Sequence, residues 1–262
     1  MGALAVSGMK GTNAGLGPFA PVADILPFPV DAETGALAAA RIADAGGALA
    51  GVILEPVQAT AGLRIADAAG LAAVARAARA AGVPLVVDEV FTGFGRTGRL
   101  FAHERYDLTP DLMILGKSFG GGMPAGLVAG RAAILAAWPP GAQSATFQLH
   151  PAAAATALAF LDTMERDALV ARAAALEGVL ADALAPLAQA PGVQAIRGIG
   201  AFHAVAMDDA PTARRVRRQA LEAGLVTWEC RRAGEVIGLV PPLTVSEAEI
   251  AEAAAILRRA VG

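Results

Sequence analysis

The chain of 262 residues sets 21 Lys and Arg against 24 Asp and Glu, a formal net charge of −3, and a balance without a basic excess predicts no nucleic-acid partner. Hydrophobic residues reach 55% while aromatics stop at 5%. Alanine inflates that count, and the longest uncharged apolar stretch, Pro151 to Leu161, is shorter than the ~18–20 residues a bilayer crossing needs, so no membrane partner is predicted. With no basic-then-apolar leader and a single cysteine, Cys230, which has no internal disulfide partner, the composition predicts a cytoplasmic protein.

Residues 1–30, rich in Gly and Pro and without a helical period, read as loops and short strands. Asp31 to Ala45 carry a helical pattern that stops at Gly46 and Gly47, and the apolar run LAGVILEPV, halted at Glu55 and Pro56, reads as a buried strand. Asp67 caps a predicted helix through Ala81, with Leu71, Val74 and Ala78 on one face and Gly82 at its exit. VPLVVDEV is a second buried strand ending in acids, and DLMILGKS a third that ends at Lys117. This rhythm predicts a parallel α/β sheet whose ligands bind beyond the carboxyl ends of the strands. Glu55, Asp88 and Lys117 all stand at such ends.

From Pro151 to about Ala190 an Ala/Leu pattern predicts one or two connecting helices. Beyond Pro191 the reading is a strand over Gln194 to Met207, a helix over Thr212 to Ala223, strands over Leu225 to Cys230 and Glu235 to Val240, and a last helix opened by a Ser246/Glu249 capping box. The chain thus divides into a large domain over residues 1–160 and a small C-terminal α+β domain, with its connecting helix, over residues 161–262.

Two nucleotide motifs are imitated without being met. LVVDE and LGKS resemble parts of a phosphate-loop ATPase, but position 111, where the loop's first glycine belongs, is Asp, and the acidic strand precedes the GKS. GIGAFH lacks the third glycine of a dinucleotide fingerprint. The three strand-end residues suit other chemistry. A lysine amine condenses with the aldehyde of pyridoxal phosphate as a Schiff base, and a carboxylate beside the pyridine nitrogen keeps that nitrogen protonated. Asp88 and Lys117 are candidates, although read alone these two letters also suit a surface ion pair. His103, His150 and His203 are too dispersed to suggest a metal site, and the arginines at 214, 215, 217 and 218 suit a solvated helix face.

EPVQ at Glu55, DEVFTGFGRTG at Asp88, LGKSFGGGMPAG at Leu115, ATFQLHPAA at Ala145 and VPPL at Val240 resemble, in order and spacing, the class III aminotransferases, fold-type-I enzymes that use pyridoxal 5'-phosphate. The GALAVSG opening and the WPPGAQSATF stretch look most like the diaminobutyrate–2-oxoglutarate branch. The resemblance implies an α/β fold with a partial, mostly parallel large-domain sheet. It further implies Lys117 as the Schiff-base lysine, Asp88 as partner of the pyridine nitrogen and Glu55 as a polar gate. Thr146 matches the threonine that binds the cofactor phosphate of the neighbouring subunit, which implies a homodimer with shared active sites. The implied reaction moves the terminal amine of a diamino acid or ω-amine to a 2-oxo acid by a ping-pong scheme.

Departures from the family pattern bear on that implication. Phe91 stands at a cofactor-binding position where many members have a Gln that hydrogen-bonds the cofactor's phenolic oxygen, His150 replaces an Asn, EPVQATAG lacks the common Gly-Glu-Gly continuation, and Gly238 stands where many relatives carry a carboxylate-clamping Arg. Met1 aligns with the middle of the family's large domain. A catalytically incomplete fragment, or a split subunit acting only with a partner chain, is therefore the alternative.

Overall fold

The computed structural model describes residues 2–8, 23–142, 146, 148, 150–230 and 234–262. Residues 9–22 of the predicted loop-and-strand opening lie outside them. The described part of that opening begins with a short helix α1 (Gly2–Ala5) and continues from residue 23 without strands.

Asp31 accepts a hydrogen bond from the Thr34 amide at 2.8 Å and starts α2 (Ala32–Ala45); Asp67 does the same for α3 (Ala68–Ala80) through the Gly70 amide at 2.8 Å. Between them lie β1 (Val52–Leu54) and a tight hairpin of β2 (Val57–Gln58) and β3 (Arg64–Ile65). β4 (Leu85–Asp88), β5 (Leu112–Leu115) and β6 (Leu127–Gly130) complete a sheet of order β1-β4-β5-β6. β1, β4 and β5 run parallel, and β6 returns antiparallel to β5. Leu71, Val74 and Ala78 of α3 are buried, with Val74 joining Ala38 and Ile42 of α2 against the sheet.

A short helix α4 (Ala132–Ala136) follows β6, and the long alanine-rich stretch then folds as α5 (Pro151–Arg166) and α6 (Leu169–Leu184) with a closing turn of tighter helix over Ala185–Gln189. The break between α5 and α6 falls at Ala168, whose φ of +47° cannot continue a right-handed helix. His150 caps α5 by accepting from the Ala152 amide through Nδ1 at 3.2 Å. An imidazole nitrogen thus supplies the acceptor that the usual Asn would supply.

The single strand predicted over Gln194 to Met207 is two, β7 (Val193–Ile199) and β8 (Phe202–Met207), folded about Gly200 with φ +59°. A Cβ at Gly200 would lie 2.4 Å from the Thr97 carbonyl carbon, so this turn needs glycine both for its backbone angle and for close approach. The strand predicted over Leu225 to Cys230 shrinks to β9 (Trp228–Glu229), and β10 (Val236–Leu239) completes an antiparallel sheet of order β7-β8-β10-β9. α7 (Ala210–Glu222) and α8 (Glu247–Val261), the latter opened by the Ser246/Glu249 box, cover one face, where Val205, Met207 and Ile237 are buried. The other face packs Phe202, Ala204 and Val236 on the β2–β3 hairpin. Arg96, in the loop after β4, donates to the Pro241 carbonyl at 2.6 Å, Arg197 of β7 to that of Gly62 in the β2–β3 hairpin at 2.6 Å, and Arg172 of α6 to those of Leu243 and Val245, so the segment after β10 is tied to α6 and to the first sheet's loop. No helix among the described residues is long and apolar enough to cross a membrane.

Candidate active site

Three strands of the first sheet end on one rim, and each carries a different reactive side chain there. Glu55 follows β1 directly, Asp88 closes β4, and Lys117 follows β5 after Gly116. The three act on one another electrostatically: Asp88 and Lys117 both act on the Glu55 carboxyl, and both carboxyls act on the Lys117 amine. Burial, with Asp88 adding repulsion against the pull of Lys117, pushes Glu55 up to about 7. Burial also raises the Asp88 carboxyl, opposed by its bond from the Val90 amide at 2.9 Å and by Lys117. The Lys117 amine is lowered, by burial first, although much of the residue is exposed.

The neighbours of Lys117 explain how one side chain is both reachable and partly dehydrated. Its Nζ lies over the Phe91 ring, 4.4 Å from the centroid, a cation–π contact that covers one side of the ammonium. Its backbone is left-handed at φ +48°, sparsely populated for a residue with a Cβ. The turn that holds it there is pinned where Thr156 Oγ1 donates to the Gly120 carbonyl at 2.7 Å. Next along the chain, a Cβ on Gly121 would come within 2.6 Å of the Thr156 carbonyl oxygen, so the glycine run lies directly on α5.

Alternation along the strand sends Glu89 the other way from Asp88. It is 1% exposed and accepts from the Thr92 hydroxyl and from the amides of Ala102 at 3.0 Å and His103 at 2.8 Å. Glu89 thereby anchors both ends of the loop that carries Phe91.

Thr146 lies exposed in a turn, and residues 143–145, 147 and 149 of its motif are outside the described residues. Gly238 has no room for a side chain, because a Cβ there would sit 2.6 Å from Cε3 of Trp228. Trp228 lies 5.0 Å and Phe202 5.1 Å from Phe91 between ring centroids. The sequence reading missed both. With aromatics at only 5% of the chain, their scarcity was the available signal.

The aminotransferase class-III family profile matches residues 1–261. The chain belongs to that family. Class-III aminotransferases use pyridoxal phosphate, and this chain resembles curated members along its length. It is 34% identical to the diaminobutyrate–2-oxoglutarate aminotransferase of Rhizobium meliloti, over 95% of this chain and 59% of that protein. It is 38% identical to the acetylornithine aminotransferase of Mycobacterium bovis, over 100% of this chain and 64% of that one. The ornithine aminotransferase of Toxoplasma gondii, whose structure has partial occupancy of pyridoxal phosphate at its active site, superposes with a TM-score of 0.88 at 29% identity, covering 98% of this chain and 60% of that one. The chain therefore spans about three-fifths of the length of these relatives.

The donor set on the rim suits that cofactor. It offers a primary amine of lowered proton affinity and a partly buried carboxyl within its field, which are the two groups an aldehyde and a pyridine nitrogen require.

Proposed function

We propose that this chain is a pyridoxal-phosphate-dependent aminotransferase that moves the terminal amino group of a diamino acid or ω-amine to a 2-oxo acid such as 2-oxoglutarate, in a ping-pong scheme. The observation that carries the reading is the convergence of Glu55, Asp88 and Lys117 at the carboxyl ends of three neighbouring strands, each acting on another's charge. When bound, the cofactor supplies an electron sink for the bonds at the amine-bearing carbon of the substrate. Lys117 Nζ would be the amine that holds the aldehyde when the cofactor is bound, and would take up and return the proton at that carbon; its lowered affinity for protons raises the fraction that is neutral and nucleophilic. Asp88, oriented by the Val90 amide, holds the proton on the pyridine nitrogen. Glu55, poised near neutrality, would gate the substrate side of the rim, and Phe91, whose ring lies against Lys117 Nζ, would help hold the cofactor. Thr146 holds the cofactor phosphate of a neighbouring subunit in a homodimer. Residues 1–160 act as the partial cofactor-binding domain and residues 161–262 as the small domain.

The test is an amine-transfer assay on the purified chain supplied with pyridoxal phosphate, 2,4-diaminobutyrate and 2-oxoglutarate. Glutamate formed by the wild type and abolished in Lys117→Ala supports the reading. The span of three-fifths of its relatives favours a second reading, a subunit that needs a partner chain. Cofactor binding without turnover, restored by a polypeptide carrying the relatives' remaining segment, would favour that one.

A further inference from the structure

We propose that a cavity at the amino ends of the first sheet's strands binds a small organic phosphate monoester, at a site separate from the Lys117 rim. The cavity has a volume of about 810 Å³, within the range of small-molecule sites. It lies where β4 begins at Leu85, where Asp111 leads into β5 and where Arg131 follows β6. The strands therefore separate it from Glu55, Asp88 and Lys117 at their other ends. Ala72, Ala75, Arg76 and Arg79 line it from α3. These four form an i, i+3, i+4, i+7 stripe beside the one that Leu71, Val74 and Ala78 bury. The two alanines leave the volume open, and the two arginines give it charge.

Arg131 brings a third guanidinium to the same cavity from the opposite side of the β4–β5 edge. Asp111 is already engaged: its Oδ2 accepts from the Leu85 amide at 2.9 Å and its Oδ1 from Arg131 Nη1 at 2.9 Å. Arg79 also acts on the Asp111 charge, which brings it and Arg131 to one carboxylate. Among the described residues, however, neither Arg76 nor Arg79 has a side-chain hydrogen bond or an ion pair. Asp107 is the other acid on the lining, so three guanidiniums against two carboxylates leave an excess of positive charge. A phosphate monoester suits this set, because its dianion offers three terminal oxygens to planar guanidinium forks. Its organic group would meet Pro84, Pro110, Ile134 and the ring of Tyr106, all half-buried on the same lining.

Calorimetric titration of the whole chain with phenyl phosphate tests this. The dissociation constant should lie below about 1 mM and be about fivefold or more tighter than that for inorganic phosphate, since the ring adds apolar contact. Arg76→Gln/Arg79→Gln changes two exposed positions on a helix that glutamine continues readily. With its melting temperature held near that of the wild type, it should weaken phenyl phosphate by about tenfold or more. Lys117→Ala should leave the constant unchanged, which separates this cavity from the rim, where pyridoxal phosphate is itself a phosphate monoester. Four results would each overturn the proposal: no binding at millimolar probe, equal affinity for the two phosphates, an unchanged constant in Arg76→Gln/Arg79→Gln, or binding lost in Lys117→Ala.

Discussion

Glu55 carries the clearest titration signature on the rim. Its carboxyl is pushed from an ordinary value of 4.5 to about 7, so between those values the folded chain holds a proton that the unfolded chain has released. The sign follows: stability falls as pH rises through that window, by roughly 1–3 kcal/mol for this one group. Glu55→Gln, neutral throughout, should flatten the slope and melt above the wild type at pH 8, as read by thermal unfolding across pH; an unchanged slope would mean that burial of Glu55 has been overstated. Glu89 acts through hydrogen bonds. Its replacement by Ala leaves the buried Ala102 amide, the partly buried His103 amide and the Thr92 hydroxyl without their acceptor, a loss of about 2–4 kcal/mol, measurable by urea unfolding. Because those bonds anchor the Phe91 loop, the same variant should also weaken cofactor capture. Asp88 and Lys117 were legible in the sequence because strand ends can be read from apolar runs. The contact of Lys117 with Phe91, and of Phe91 with Trp228, was not, since it depends on a loop and a second sheet folding onto the first.

Among the elements, the α2–α3 crossing depends most on individual glycines. A Cβ on Gly35 would lie 2.2 Å from the Gly70 Cα, and one on Gly70 would lie 2.8 Å from the Asp31 carbonyl oxygen. In an isolated helix Gly35→Ala would gain about 1 kcal/mol of propensity. Here the backbones must separate, at a cost of about 1–3 kcal/mol or more. Gly35→Ala should therefore lower the melting temperature, and a rise would show that the helices sit farther apart than described. Helix boundaries were legible because Asp31, Asp67 and Ser246 cap where their side chains permit. The β7–β8 hairpin was not. Gly200 and Ala201 interrupt an apolar run by only two residues, and what turns the chain there is the backbone angle of Gly200 and its packing on the Thr97 loop, neither of which has a periodic signature.

For the molecule as a whole, the fold class was readable from the alternation of strands and helices. The pairing of β6 antiparallel beside β5 was not, because Leu127–Gly130 follows directly on the glycine- and proline-bearing stretch after Lys117, with Gly126 at its start and Gly130 at its end, and so carries loop signals. β6 and its surroundings also leave apolar surface uncovered: Leu127 is 41%, Val128 50% and Trp138 56% exposed. Such surface on a strand edge favours association between copies. Light scattering should give a mass of twice the 26.2 kDa chain, and Val128→Lys should shift the distribution towards single chains; a wild-type protein that stays monomeric at high concentration would contradict the proposed homodimer. A cofactor aldehyde held at Lys117 is the central expectation. Borohydride reduction of the chain incubated with pyridoxal phosphate, followed by peptide mass spectrometry, reads that attachment directly, and the only lysines are Lys10 and Lys117. The account predicts the phosphopyridoxyl mass on the Lys117 peptide, diminished in Asp88→Asn. An adduct confined to Lys10, or none at saturating cofactor, would contradict it.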